Sequence, residues 1–198
     1  VFQHDSVEKL RRELMRNGQL REMCGFDGQV PPPWVYTRFL KTLMEHGGLI
    51  EGMFNHLVQS LTEVLPEFGK HLAMDSKAIS SFAKRKNQSE SPDGRRDTDA
   101  DYGKKKYTGV HEDGKPWEKI VKWFGYKLHL IVDATYELPV LFSLTKASEP
   151  DINEAHRLMK RMGEEQPALW ETAETIAADK GYDDTKLVTT LWDQHQIK

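Results

Sequence analysis

Leu72-Ala73-Met74-Asp75-Ser76-Lys77-Ala78-Ile79 is an apolar run carrying one carboxylate. Its counterpart far downstream is Thr175-Ile176-Ala177-Ala178-Asp179-Lys180-Gly181-Tyr182. Each reads as a short buried strand that delivers a lone Asp and then turns. Two such strands from distant parts of a chain suggest a divalent-metal site assembled by the fold, because hard cations take carboxylate oxygens. Two ordinary strand-end aspartates are the alternative.

The 198 residues suffice for one sizeable core and a smaller appended unit. With 38% hydrophobic and 30% charged residues the composition is that of a soluble globular protein on the polar side. The single cysteine, Cys24, rules out an internal disulfide framework and fits a reducing cytoplasm. No apolar run approaches the roughly 20 residues of a membrane span. The opening Val1-Phe2-Gln3-His4-Asp5 lacks the basic and apolar regions of a signal peptide. It also lacks an initiating Met, and Gln196-Ile197-Lys198 supplies no closing element, so the chain reads as a fragment of a longer protein. Net charge is -3, yet residues 84–127 hold twelve Lys/Arg against eight Asp/Glu. Such a segment forms either a phosphate-binding face or a solvated loop.

Residues 1–70 read as an all-helical unit for DNA binding or packing. Ser6 caps a helix through Val7, Leu10 and Leu14, and Asn17-Gly18 stops it. After Pro31-Pro32-Pro33, Val35, Phe39 and Leu43 form one helical stripe that ends at His46-Gly47-Gly48. Ile50 to Leu65 form a longer amphipathic helix. The second domain, residues 71–198, opens with the Leu72 strand. A polar insertion over about residues 80–119 follows, too long for a turn and too polar for a core. Its Asp97, Asp99 and Asp101 lack the glycine and terminal Glu of a calcium loop. Alternation of Tyr126, Leu128, Leu130 and Val132, a turn at 134–137, and Leu138 to Thr145 make a β-hairpin. Asp151 and Glu154 stand at capping-box spacing before a helix that Gly163 can end. The strand at 175–178 and a helix capped by Asp183 complete the order.

Strand, insertion, hairpin, helix, strand and helix together predict an α/β fold. In a ribonuclease H-like mixed sheet flanked by helices, the first and last of these strands are neighbours, so Asp75 and Asp179 converge. Two such carboxylates suit Mg²⁺, which accepts phosphate oxygens as further ligands.

The chain resembles the bacterial insertion-sequence transposases of the IS4/IS5-type DDE group. The resemblance is carried by Leu72-Ala73-Met74-Asp75-Ser76, Asp99-Ala100-Asp101-Tyr102-Gly103-Lys104-Lys105 and Trp123-Phe124-Gly125-Tyr126-Lys127-Leu128-His129. It continues through Thr145-Lys146-Ala147-Ser148 and Ala178-Asp179-Lys180-Gly181-Tyr182-Asp183, and Cys24-Gly25-Phe26 with 31–40 is similar to that family's helical N-terminal region. The family implies a ribonuclease H-like catalytic domain, Mg²⁺ or Mn²⁺, and cutting and joining of double-stranded DNA at transposon terminal inverted repeats. It also implies action at the nucleoid in a bacterial cytoplasm. A homodimer is an open assembly. Asp75 and Asp179 match the family's first and second catalytic aspartates.

One departure matters. The family's third carboxylate lies downstream of the second, in a Tyr-x2-Arg-x3-Glu-x6-Lys helix, and nothing after Asp179 fits. Glu164, Glu165, Glu171 and Glu174 precede it, and Asp193 lacks the surrounding pattern. The chain as given is therefore expected to be inactive. It is alternatively a decayed copy that only binds DNA or a partner, or another ribonuclease H-like nuclease. Arg95, Arg96, Lys104, Lys105, Lys106 and Lys127 are the candidate phosphate contacts. For His129 a structural hydrogen bond is the preferred reading, and for Asp133 a turn role.

Overall fold

The computed structural model describes residue 4, residues 6–81, 83 and 97, and residues 99–198. The candidate contacts Arg95 and Arg96 lie outside the described residues. The chain divides into two compact units, Val1–Phe54 and Asn55–Lys198.

In the first unit, α1 (Val7–Arg16) starts where the Ser6 side chain accepts from Lys9 N, and α2 (Gly18–Met23) starts where Asn17 accepts from Leu20 N. Both side chains satisfy amides that a helix start leaves without partners. α3 (Pro33–Glu45) begins on a proline, whose missing N–H costs nothing there. Arg11 Nε donates to Pro31 O at 3.0 Å and Arg21 Nη1 to Leu14 O at 3.1 Å, over a buried Leu14. The expected stripe on α3 is not buried: Phe39 is 58% exposed. α4 (Gly47–Val64) begins at the glycine pair that the sequence suggested as a helix end and runs into the second unit.

The second unit is a mixed five-stranded sheet flanked by helices. Its strands are β1 (His71–Ser80), β2 (Asp101–Val110), β3 (Pro116–Asp133), β4 (Leu138–Lys146) and β5 (Thr175–Ala178). The order is β2-β3-β1-β5, with β4 also on β3. β3 is long enough to serve several partners: its residues 116–125 pair with β2, while 126–133 pair with β4, and 125–133 with β1. These ladders are antiparallel; β1 and β5 run parallel.

The core lies between the sheet and α5 (Asp151–Glu165). Ala155, Leu158, Met159 and Met162 recur at helical spacing and are buried, as are Leu72, Met74, Ile131, Val140 and Leu141 of the sheet, and α5 lies near β3 and β4. Each large side chain so buried contributes roughly 2 kcal/mol. α6 (Pro167–Thr172) adds Leu169 and Trp170, and α7 (Thr185–His195) adds Leu187 and Leu191. Ile176 N donates to Lys198 O at 2.9 Å and Lys198 N to Glu174 O at 3.0 Å, so the last residues run beside β5.

The sequence reading and the structure differ at definite points. Residues 101–110 and 116–119, placed in a polar insertion, are strands: largely exposed on both faces, they show no hydrophobic alternation. Residues 167–172, given no element in the sequence reading, form a short helix that opens on Pro167. The Asp151/Glu154 capping box does not form, since α5 has no side-chain cap bond; ion pairs with Lys127 and Arg157 hold the two acids instead. α5 continues past Gly163 to Glu165, and Asp184, not Asp183, caps α7.

The turn between β3 and β4 falls at the expected residues 134–137, and Asp133 holds its corner. Fully buried, Asp133 accepts from Thr135 N at 3.0 Å, Tyr136 N at 2.7 Å and Gly69 N at 2.7 Å. Removing a carboxylate that satisfies three amides is expected to cost about 4 kcal/mol. In a thermal melt, Asp133→Ala should lower the midpoint by roughly 8–16 °C. An unchanged melt would mean these bonds do not hold the corner.

Candidate functional site

The parallel register of β1 and β5 pairs His71 with Thr175, Leu72 with Ile176, Ala73 with Ala177 and Met74 with Ala178. The next residue on each strand is an aspartate, Asp75 on β1 and Asp179 just past β5. Neighbouring strands lie about 4.8 Å apart, so matched positions put the two carboxylates on adjacent strand ends. Alternation fixes the face: Leu72 and Met74 are buried, so Ala73, Asp75 and Lys77 turn to the other side. Asp75 and Asp179 are both exposed.

Each carboxylate is half satisfied by its own backbone. Asp75 Oδ1 accepts from Ser76 N at 2.7 Å, and Asp179 Oδ1 accepts from Gly181 N at 2.7 Å. The latter bond caps a short 3-10 turn at Lys180–Tyr182. A Cβ at Gly181 would stand 2.8 Å from Asp179 Oδ1, so glycine keeps that oxygen in place. The second oxygen of each aspartate has no hydrogen bond among the described residues. Two free carboxylate oxygens on adjacent strand ends are a donor set that fits a hard cation keeping several waters. Among the described residues no group of three His, Cys, Asp or Glu could hold a metal ion.

On the α5 side of the sheet, directly behind these strands, lies a layer of buried polar groups. Tyr182 is buried, and its hydroxyl faces Ser76 without closing a hydrogen bond. Burial pushes that phenol up to about 12, with the charges of Asp151, Asp75 and Asp179 adding to the rise and Ser76 opposing it. His129, opposite Ser76 on β3, is fully buried. Thr145 Oγ1 donates to Lys146 O, so it accepts from His129 Nε2 at 2.9 Å; this assigns the proton to Nε2. His129 Nδ1 is then a bare acceptor without a partner, 4.0 Å from Asp151 Oδ1. Asp151 is held by Lys127 Nζ at 2.8 Å, and the same ammonium donates to Glu149 O at 2.5 Å. The structural role preferred for His129 is the one seen.

The basic candidates separate into two groups. Lys104, Lys105 and Lys106 are exposed on β2. Lys106 pairs with Glu118 at 2.6 Å, and Lys105 lies over the Tyr107 ring at 5.8 Å. Lys127 instead is mostly buried and anchors the start of α5. The aspartate cluster near 97–101 clasps the sheet: Tyr126 donates to Asp99 at 2.7 Å, Ser148 N to Asp101 at 2.9 Å, and Ser81 to Asp97. Burial, aided by Asp99, pushes the Tyr126 phenol up to about 12. Sequence reasoning passed over Asp151 because its spacing imitates a cap, and over Ser76 because it sits inside a longer motif.

A mixed sheet setting two carboxylates side by side at parallel strand ends defines a carboxylate-presenting α/β domain. The sequence model of the family described as Transposase DDE domain matches residues 66–198, well over half of the chain. The chain belongs to that family. No curated protein and no solved structure matches it. Among the described residues no helix is long and apolar enough to cross a membrane.

His129 supplies a pH test. Burial holds its pKa below the ordinary 6.5, so the unfolded chain takes up a proton that the folded chain refuses. Stability is therefore lost as pH falls below about 6.5 toward the folded value. Urea unfolding between pH 7 and pH 5 should show a shallower pH dependence in His129→Gln than in wild type. Equal slopes would place the proton uptake elsewhere.

Proposed function

We propose that this chain is the catalytic portion of a DNA transposase that cuts and joins DNA strands at transposon ends, with Asp75 and Asp179 as its first two carboxylates. The observation carrying the reading is their matched position past the Met74–Ala178 pair, inside the region that matches the family. A ribonuclease H-like arrangement is supported by β4, β3 and β1 running antiparallel in succession with β5 parallel on the far side of β1. The IS4/IS5-type bacterial subgroup is supported by Asp179-Lys180-Gly181-Tyr182 and the other segments quoted above. Site of action at a bacterial nucleoid and assembly as a homodimer belong to the same proposal. So does the division into a helical region, 1–70, and a catalytic domain, 71–198.

Asp75 and Asp179 would hold Mg²⁺ or Mn²⁺, which when bound supplies an activated oxygen nucleophile and stabilises the leaving oxygen of a phosphodiester. The chain's own part is to present two oxygens from fixed strand ends. Gly181 N and Ser76 N orient the carboxylates, and Tyr182, buried just past Asp179, belongs to the layer behind them. Lys104, Lys105 and Lys106, together with Arg95 and Arg96, are the candidate phosphate contacts. Residues 180–198 contain no Tyr-x2-Arg-x3-Glu pattern, so this chain alone is expected not to cut.

The absence of a third acidic or histidine ligand beside Asp75 and Asp179 among the described residues favours one second reading. In it the chain binds DNA, or a partner, without cleaving.

Mn²⁺ titration followed by NMR separates the possibilities. Paramagnetic broadening should centre on residues 73–77 and 177–182, and Asp75→Asn with Asp179→Asn should weaken Mn²⁺ binding at least tenfold, about 1.4 kcal/mol. In a protein that carries a third carboxylate, either single variant should abolish Mg²⁺-dependent cleavage. Wild-type cleavage by either would sink the assignment. Binding of DNA with no Mn²⁺ effect would select the second reading.

A further inference from the structure

We propose that the ribbon of β2 and residues 116–125 of β3 is an arm that lies in the major groove of duplex DNA. Lys104 and Lys122 would meet one phosphate backbone, and Lys105 and Lys119 the other. The inference rests on the DNA reading above and adds to it a surface, a groove and a position.

Among the described residues the ribbon has no packing role that accounts for it. Ten consecutive pairs run from Asp101 opposite Gly125 to Val110 opposite Pro116. Residues 104–108 and 110–122 are exposed on both faces. Two-stranded ribbons are marginal alone, and this one is held by its own aromatics. A Cβ at Gly103 would come within 2.4 Å of the Trp123 ring, and one at Gly109 within 2.5 Å of Trp117, so both indoles lie flat across the strands. Tyr102 and Phe124 pack at 5.2 Å on the other face. The ribbon offers its lysines outward among exposed Tyr102, Tyr107, Val110 and Ile120.

Those lysines are arranged against their own stability. Residues 102–124 carry six Lys and three acids in a chain of net charge -3. Glu118 pairs with Lys106 and Asp113 with Lys115. Lys104, Lys119 and Lys122 have no ion pair among the described residues. Lys104 stands directly opposite Lys122, and like charges so placed destabilise a ladder. Both line a cavity of about 580 Å³ with Tyr102 and Ser148. Glu149 also lines it, but its carboxylate is bound by Arg157 at 2.9 Å. A phosphate at this point converts the repulsion into two attractions. By alternation Lys105 and Lys119 occupy the opposite face, so charge is available to both walls of a groove.

Dimensions agree. Ten paired residues span roughly 30 Å, close to one turn of B-DNA at about 34 Å. The major groove, about 12 Å wide, admits a two-stranded ribbon. Ser80 pairs with Gly125, so the arm starts where β1 ends, five residues beyond Asp75. That offset is roughly 17 Å along the strand, about five base pairs. The arm should therefore grip DNA beginning about five base pairs from the position of Asp75.

The test uses this chain and a duplex longer than three helical turns, followed by fluorescence anisotropy across a salt series. Lys104→Gln with Lys122→Gln should weaken binding at least tenfold near 0.15 M salt and reduce the salt slope by about 1.8. Lys160→Gln, on α5, should change neither. Guanine N7 in the gripped turn should be protected from methylation in wild type and exposed in the double variant. Wild-type affinity and slope in a folded double variant would overturn the arm while leaving the DNA reading intact. Protection confined to the minor groove, or equal binding to heparin, would also overturn it. Failure of wild type to bind any duplex would overturn the DNA reading and the arm together.

Discussion

Between His71 and Met74, β1 satisfies its backbone from two sides at once, antiparallel to β3 and parallel to β5. A slip of one residue in either ladder would turn every β1 side chain to the opposite face. Leu72 and Met74 would then leave the core, at a cost of roughly 2 kcal/mol each. The hydrophobic requirement of these two residues thus fixes the register, and the register fixes Asp75 against Asp179. The site owes its geometry to apolar neighbours that take no part in its chemistry.

The same alternation divides polar duties between the two faces. On the outer face Asp75 and Asp179 each keep one oxygen without a hydrogen bond among the described residues. On the inner face, Ser76, His129, Tyr182 and Asp151 gather beneath α5, where two polar atoms, His129 Nδ1 and Tyr182 Oη, find no partner. Leaving such groups buried and unpaired costs free energy, and here it is offset by α5 packing on one side and by the Lys127–Asp151 ion pair on the other. Lys127 closes the start of that helix by reaching both the Asp151 carboxylate and the Glu149 carbonyl. A residue whose type suggests a DNA contact is thereby engaged inside the fold.

How much of this could be read in the sequence follows from where each signal originates. β1, the β3–β4 hairpin and α5 each bury one face, so their periodicity survives in the residues, and Asp75 and Asp179 could be picked out as the points where apolar runs stop. The pairing of β1 with β5 came from element order and resemblance, because residues so far apart carry no local mark of contact. β2 left no trace: with water on both faces, Lys104-Lys105-Lys106 has no reason to alternate, and a strand made by cross-strand bonds looks like a loop. Asp151 misled for a different reason. Its spacing to Glu154 imitates a cap, but Lys127, which claims it, lies 24 positions away.

Gly125 joins the two halves of the molecule's longest strand. Its φ of 149° and a would-be Cβ only 2.2 Å from Ile79 O leave no room for a side chain. At that point β3 has β2 as a partner behind it and β1 beside it, and Ser81 N donates to Phe124 O at 2.9 Å. The backbone of β1's last turn therefore presses directly on the root of the ribbon. Any bulk at this position must push the end of β1 away from β3, and β1 carries Asp75. The close approach permitted by one glycine thus joins the root of the ribbon to the end of the strand that carries Asp75.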